Sequence, residues 1–263
     1  MKFTEFFDCA YVINLPSRTD RQQEMVEELE KAGMPFTPGK VELFAAIRPD
    51  SPGSFTSIGY RGAFLSHLNV LKQAKARGLK NVLVMEDDLE LRPDFQQYEE
   101  TILRELLNTD WDLVHFGYCY DQALGTKAVN SPILQPFADE IIGAQFYAVN
   151  GKTLDLLINF FETLLQRSPG HPDGGPMSPD GVFNIFKWQH PSIVRLIAVP
   201  SFGDQRSSRS DISAQWFDQV PGLNVLAGLV RKWGLARSIK NRLRPATIQN
   251  VEEPKQVELT RSR

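Results

Sequence analysis

The sequence predicts an α/β fold in which a mostly parallel central sheet is flanked by helices, and three observations carry that expectation. Short, nearly continuous apolar runs mark strands buried on both faces, as the strands of parallel sheets are. Between them lie longer stretches whose apolar residues recur every three or four positions, the period of a helix with one buried face. Glycines and proline-rich segments separate the two kinds of stretch, where one period must stop before the other begins. Alternation of this kind produces a layered sheet covered by helices.

The run Cys9-Ala10-Tyr11-Val12-Ile13-Asn14-Leu15 reads as the first strand. A helix follows from about Arg18, with Met25, Val26, Leu29 and Ala32 on one face and Gly33 as its stop, since glycine readily takes the left-handed conformation that ends helices. Residues 41–47 form a second strand, and residues 50–57, rich in Pro, Gly and Ser, a loop. From Gly62 the positions Phe64, Leu65, Leu68, Leu71 and Ala74 trace a helix that Gly78 closes. Val82 to Met85 is a third strand, and after Pro93 a helix carries Ile102, Leu103, Leu106 and Leu107. Residues 112–116 and 141–149 are further strands, followed by a helix with Leu154, Leu157, Ile158, Phe161 and Leu165 on one face. Residues 168–179, with their Pro, Gly, His and Asp, cannot continue that helix and form either a mobile loop over a site or an excursion between subregions. A short helix over 180–186 and a strand over 194–199 complete the pattern, with no internal repeat and no low-complexity tract.

A chain of 263 residues can bury a substantial core as one large or two small domains. Its 42% hydrophobic and 23% charged residues are those of an ordinary soluble globular protein. A net charge of −3 argues against nucleic acid as the main partner, because binding a phosphate backbone calls for a basic excess. Cys9 and Cys119 both sit inside apolar strand-like runs, so they read as buried thiols in a reducing compartment and not as a disulfide framework. No segment approaches the roughly 20 apolar residues needed to span a bilayer, and the run over 10–15 is too short for a signal-peptide core. The expectation is a cytoplasmic protein.

The most informative local feature is Glu86-Asp87-Asp88, three carboxylates directly after the strand Asn81-Val82-Leu83-Val84-Met85. Adjacent anions repel one another, and clustering them at a strand end gains little unless something positive sits there. Mn2+ and Mg2+ prefer oxygen ligands, and Mg2+ usually takes one or two carboxylates with water and substrate phosphates completing its shell. A diphosphate-bearing substrate is the natural partner of such a site. The alternative is a solvated acidic turn in which Asp87 or Asp88 caps the helix after Pro93. In parallel α/β sheets ligands bind outside the carboxyl ends of the strands. Both the acidic triplet and the loop Pro16-Ser17-Arg18-Thr19-Asp20-Arg21 lie at such ends, so two loops converge on one crevice.

Taken together, the segments resemble glycosyltransferase family 25, which includes lipopolysaccharide core galactosyltransferases and collagen galactosyltransferase domains. Val12-Ile13-Asn14-Leu15-Pro16-Ser17-Arg18-Thr19-Asp20-Arg21 is similar to the family's first strand and arginine-bearing loop. Gly59-Tyr60-Arg61-Gly62-Ala63-Phe64-Leu65-Ser66-His67 resembles its glycine-rich entry to a helix with a Ser-His pair, and Val84-Met85-Glu86-Asp87-Asp88 its strand and Glu-Asp-Asp. Ser178-Pro179-Asp180 and the stretch from Pro200 through Gln205 to Ser210-Asp211-Ile212 resemble its two later motifs, in the same order. The likeness covers about residues 8–212 and departs from the family at Tyr60 and Ala63, where Glu and Cys are usual. It implies a GT-A-type nucleotide-sugar-binding fold, a UDP-sugar donor and transfer with inversion at the anomeric carbon.

On that reading a metal ion, Mn2+ or Mg2+, steadies the departing diphosphate. Asp88 is the direct ligand, with Glu86 or Asp87 acting through water or holding donor hydroxyls. Asp180 is the candidate general base for the acceptor hydroxyl. It stands at the start of a short helix whose N-terminus favours the ionised carboxylate and so keeps its basicity modest, the alternative being a plain N-cap. Arg18 and Arg21 are candidate phosphate or base contacts, with Asn14 beside them, and solvated helix-start arginines are the alternative. Ser66 and His67 are candidate donor contacts, although His67 also fits a buried helix residue packed near the sheet. Gln205, Arg206 and Arg209 form a polar stretch able to fold over the diphosphate, or a plain surface loop. His115 and His190 read as structural, and His171 is isolated.

The reading as a whole is a metal-dependent inverting glycosyltransferase domain over residues 1–220. It moves a hexose, galactose from UDP-galactose, to a glycan or glycolipid acceptor such as lipopolysaccharide core. Residues 221–245 form a basic amphipathic helix with Arg231, Lys232, Arg237, Lys240, Arg242 and Arg244, suited either to an anionic membrane surface on its inner face or to packing on the domain. Residues 246–263 are a disordered tail. Rival readings are a non-catalytic nucleotide- or glycan-binding module of the same fold and a sugar nucleotidyltransferase. The second lacks support because Leu15-Pro16-Ser17-Arg18 stands where a glycine-rich phosphate loop is expected.

Overall fold

The long elements lie where the hydrophobic periodicity puts them. The structure, a computed structural model, describes residues 1–119 and 132–206. In chain order these hold α1 (Phe3–Phe6), β1 (Cys9–Asn14), α2 (Thr19–Lys31), β2 (Val41–Ala45), α3 (Ile58–Ala76), β3 (Asn81–Glu86), β4 (Leu89–Leu91) and α4 (Phe95–Asn108). Then come β5 (Leu113–Cys119), β6 (Leu134–Pro136), β7 (Ile142–Asn150), α5 (Gly151–Gln166), α6 (Pro179–Gln189), β8 (Arg195–Ala198) and β9 (Gly203–Gln205). Gly33 and Gly78 take the positive φ angles of 72° and 67° expected just after helix ends. Helix α3 starts at Ile58, four residues before the sequence reading has it, because Ser57 caps it by accepting from the Tyr60 backbone N–H. The proposed basic helix over 221–245, the tail over 246–263 and Arg209 lie outside the described residues.

The strands order β2-β1-β3-β7-β5-β8-β6, with β9 beside β5 and β4 beside β9. Strands β2, β1, β3, β5 and β8 run the same way, which makes the sheet mostly parallel, while β7 and β6 run opposite to them. Both faces are buried, as the continuous apolar runs require. Ala10, Val12, Leu83, Met85, Phe146 and Ala148 point to one face, covered by Phe3 of α1, Met25 and Leu29 of α2 and Ile102, Leu103 and Leu106 of α4. Tyr11, Val82, Val84, Tyr147 and Val149 point to the other, covered by α3, α5 and α6 through Phe64, Leu68, Leu157, Phe161, Phe183 and Phe186. The result is a three-layer sandwich.

Topology fixes where chemistry can gather. Strands β2, β1 and β3 end together, with Ile13 opposite Glu86 and Asn14 opposite Ala45. Because β7 is antiparallel to β3, its N-terminal residues Ile142 and Gly143 extend toward the same edge. Helix α3 closes on that edge at Gly62, where a Cβ would stand 2.7 Å from the Ile47 carbonyl oxygen. Glycine is therefore required there, and Ser66 one turn later clamps the same segment, accepting from Ile47 N at 2.8 Å and donating to Gly62 O at 2.7 Å.

His115, fully buried on β5 between the rings of Tyr147 and Phe183, is structural as expected. Neither ring nitrogen has a hydrogen-bond partner among the described residues. Burial, and then the charge of Arg195, holds its imidazole down to about 3. The unfolded chain takes up a proton near pH 6.5 that the folded chain refuses until about pH 3, so this group's contribution to stability is lost as pH falls through that window. Between pH 7 and pH 4.5 the natural chain should lose about 2–3 kcal/mol relative to His115→Phe, read from urea unfolding at both pH values. Carboxylates with raised pKa values titrate with the opposite sign, so the difference between the two chains is the quantity to measure.

Candidate active site

The acidic triplet lies at the carboxyl end of β3 and its three members have three different surroundings. Asp87 is 7% exposed and both its oxygens are engaged, Oδ2 by Asn14 Nδ2 at 2.9 Å and Oδ1 by Arg21 Nη1 at 2.6 Å. Asn14 also donates to the Arg18 carbonyl at 3.2 Å, which ties the loop after β1 to the turn after β3. Part of the positive charge that three adjacent carboxylates demand is thus supplied by the chain, from a buried arginine in the first turn of α2. Removing one partner of such a buried pair typically costs about 3–5 kcal/mol. Asp87 therefore organises the site from inside, and neither it nor Asp88 caps α4, whose N-cap is Asp94.

Asp88 is the unsettled member. Its Oδ2 stands 3.6 Å from Arg21 Nη1, while its Oδ1 is buried without a hydrogen-bond partner among the described residues. Burial, and then the neighbouring charge of Glu86, raises its carboxyl to about 7 against the opposing pull of Arg21. A buried acceptor with no donor is the kind of oxygen that a cation or a ligand proton would complete. Among the described residues no three His, Cys, Asp or Glu side chains gather closely enough to hold a metal ion by themselves. An ion at Asp88 would take most of its shell from substrate oxygens and water, which suits Mg2+-like binding.

Glu86 is held from behind. His67, 1% exposed on α3, meets Glu86 Oε1 through Nε2 at 3.0 Å and the hydroxyl of buried Tyr147 through Nδ1 at 2.9 Å. The His67 and Tyr147 rings stack at a centroid distance of 5.6 Å. Tyr147 has no signal in the sequence, where it is one more aromatic in a buried strand.

Asp180 joins the same edge from α6. Ser178 is the N-cap and Pro179 the first helical residue, so Asp180 does not cap the helix. Its Oδ1 accepts from Gly143 N at 3.1 Å, and one turn later Asn184 bonds both the N–H and the carbonyl of Ile141, at 3.1 and 2.8 Å. Helix α6 is thereby seated on the start of β7, with Arg195 donating to Asn184 Oδ1 at 3.0 Å. Burial, and then the charge of Glu86, raises Asp180 to about 6. The helix N-terminus was expected to keep its basicity modest. Desolvation raises it instead, because the half-buried carboxylate is partly withdrawn from water.

Beside these groups lies a cleft of about 310 Å³. Ile13, Leu15, Ala46, Ile47, Pro49 and Ile58 give it apolar walls, and Arg18, Arg21, Arg48, His67 and the acidic triplet give it charge. Of the residues singled out from the sequence, Arg18, Arg21, Ser66, His67, Glu86, Asp87 and Asp88 line this cleft, and Asn14 and Asp180 adjoin its acidic end. Arg18 is paired with Asp20 at 2.8 Å. Ser66 contributes its hydroxyl to Ile47 and Gly62 rather than to open space.

Arg206 departs from its expected place, since its guanidinium is taken up by Glu24 at 3.2 Å and Glu28 at 2.7 Å on α2. Its backbone N–H donates to the Asp88 carbonyl at 2.7 Å, so it braces the acidic turn instead of closing over a ligand. Gln205 is exposed on β9. The loop over 168–179 is pinned by Arg167, which donates to the carbonyls of Asp173 and Gly174, and by Gln189, which donates to Asp173 O.

Comparison with known proteins gives a consistent family. The family model described as glycosyltransferase family 25 (LPS biosynthesis protein) matches residues 7–164. Procollagen galactosyltransferase 1-B of Xenopus laevis is 29% identical over 129 residues, 42% of this chain and 21% of that protein. The inactive glycosyltransferase 25 family member 3 of Homo sapiens is 30% identical over 129 residues, 42% of this chain and 22% of that protein. The match thus spans about a fifth of the length of these relatives. Among solved structures, a glycosyltransferase involved in glycosylation of the major capsid of PBCV-1 aligns with 77% of this chain and 94% of its own, at 12% identity and a TM-score of 0.46.

Proposed function

This chain belongs to glycosyltransferase family 25, and on that premise we propose that it transfers a hexose, galactose from UDP-galactose, to a hydroxyl of a glycan acceptor with inversion. The observation that carries the reading is the pairing of Asp88, one of whose buried oxygens has no hydrogen-bond partner among the described residues, with a second carboxyl, Asp180, raised to about 6 at the same strand edge. One carboxylate that needs a cation and another poised to accept a proton are what the two halves of the reaction require.

In this mechanism the donor's nucleoside lies along the apolar wall of the cleft and its diphosphate turns toward Asp88. Mn2+ or Mg2+ held by Asp88, with Glu86 behind it through water, would supply the charge that stabilises the leaving diphosphate. Arg21, bonded to Asp87 and close to Asp88, keeps that end of the cleft from being too anionic for a diphosphate to approach. Arg18 and Arg48 offer further phosphate contacts. Asp180, with Oδ1 fixed by Gly143 N, uses its other oxygen to take the acceptor hydroxyl's proton. Ala63, where the family pattern usually has Cys, lines the cleft and leaves more room for the donor.

Support for a lipid-linked acceptor such as lipopolysaccharide core comes from the family's description and from the basic segment over 231–244, whose composition suits an anionic surface at the inner face of a membrane. No helix among the described residues is long and apolar enough to cross a membrane. A second reading, a nucleotide- or glycan-binding module without turnover, draws on the similarity to an inactive family member. The two separate in one assay. Incubated with a panel of nucleotide sugars and Mn2+, the protein should release UDP from a UDP-hexose, faster with acceptor and not at all with chelator. Binding of UDP-hexose without release under every condition would favour the module.

A further inference from the structure

We infer that His67 and Tyr147 are positioning residues for Glu86: Tyr147 fixes which nitrogen of His67 carries the proton, and His67 thereby sets the carboxylate at the edge of the cleft. This rests on the reading of the cleft as the donor site.

The direction of each hydrogen bond follows from what the partners can do. An ionised carboxylate only accepts, so the bond of 3.0 Å between Glu86 Oε1 and His67 Nε2 requires a proton on Nε2. A neutral imidazole then has a lone pair on Nδ1, and the Tyr147 hydroxyl, 2.9 Å away, donates to it. Burial, and then the Glu86 charge, pushes the Tyr147 phenol well above its ordinary value, so the hydroxyl keeps the proton that this bond needs. In the chain Tyr147 O–H to Nδ1, and Nε2–H to Oε1, each donor meets one acceptor. A proton on both ring nitrogens would leave the buried phenol hydrogen without an acceptor.

The consequence reaches the cleft. Glu86 lines it, and the second oxygen of its carboxylate makes no hydrogen bond among the described residues. With Oε1 anchored, Oε2 is presented as a fixed acceptor to a hydroxyl of the donor's ribose or sugar, or to a metal-bound water. Glu86 also acts electrostatically on both Asp88 and Asp180, so its placement bears on each of them. Among the described residues the side-chain polar atoms of this buried histidine and tyrosine bond only each other and this carboxylate.

The test combines a spectroscopic signature with a double-mutant cycle. In protein labelled with 15N-histidine, His67 should appear as the Nε2–H tautomer with Nδ1 accepting a hydrogen bond. Tyr147→Phe should move the Nδ1 resonance and mix the tautomers without changing the fold seen by circular dichroism. Tyr147→Phe should also raise KM for the donor about tenfold, with KM for the acceptor unchanged. His67→Gln keeps an N–H near the Nε2 position and should lose less than His67→Ala. On the His67→Gln background, adding Tyr147→Phe should cost less than about twofold, since Tyr147 then has no tautomer to set. An Nδ1–H tautomer in the natural chain, a spectrum insensitive to Tyr147→Phe, or fully additive effects would overturn the inference. The spectra report on it even if the protein transfers no sugar, an outcome that would count against the proposed reaction alone.

Discussion

Asp180→Asn is expected to slow sugar transfer by about 10²–10⁴-fold while leaving donor binding within about twofold. Asparagine can still accept from Gly143 N through its side-chain oxygen, so α6 should keep its seat on β7, but it cannot take the acceptor's proton. A carboxyl at about 6 is ionised at neutral pH and yet more basic than a solvated aspartate, which is what a general base needs. For the natural chain saturated with Mn2+, which would keep Asp88 ionised, kcat/KM should rise with pH through about 6 and then level, because a protonated Asp180 is no longer basic enough to take the acceptor's proton. The variant's residual activity should lack that rise. Steady-state kinetics from pH 5 to 8, with donor affinity measured by calorimetry, check both parts. Transfer that survives the substitution within tenfold would remove Asp180 from the mechanism and leave it a structural acid.

Asp88→Asn is expected to abolish metal-dependent UDP release, by about 10²–10³-fold or more, and at the same time to make the metal-free protein more stable. The two effects share a cause. Oδ1 of Asp88 is buried without a hydrogen-bond partner among the described residues and its carboxyl is raised to about 7, so folding disfavours the ionised form. For a carboxyl raised in the folded state, the contribution to stability is full below the unfolded value of 3.8 and is lost as pH rises through about 7. Asparagine carries no charge to bury. Its advantage should grow from pH 4 to pH 8, reaching about 1–3 kcal/mol in chelator once relaxation and Arg21 are allowed for. Adding Mn2+ and UDP should raise the melting temperature of the natural chain and not that of the variant. If the variant is less stable than the natural chain in chelator, the carboxylate is already satisfied within the protein and a cation is not what it awaits.

Legibility in the sequence tracked how local the cause was. Strands β1, β3, β5, β7 and β8 were readable because burial on both faces leaves an unbroken apolar run, and α2, α4 and α5 because burial on one face leaves a period. Strands β4, β6 and β9, three residues each, exist only through their pairing with partners elsewhere in the chain, and no window of sequence contains that cause. The four-residue α1 was missed for the same reason, as Phe3 is fixed by packing against Phe95 and Phe116 far along the chain. Nor could the alternation of strands and helices reveal that β7 runs against its neighbours, because direction depends on how the chain returns to the sheet.

By itself the sequence determined a helix-covered, mostly parallel sheet and the presence of an anionic turn at the end of its third strand, because periodicity and residue type are local quantities. The tertiary structure alone decided that Asp87 is held internally by the charge of Arg21 and a hydrogen bond from Asn14, that Asp88 keeps one oxygen without a hydrogen-bond partner among the described residues, and that Arg206 braces α2. It also brought Asp180 and Tyr147 to the same edge, across separations of 92 and 59 residues from Asp88. Charge and solvation depend on distance in space, and three carboxylates adjacent in sequence acquire different properties only when the fold gives each its own neighbours.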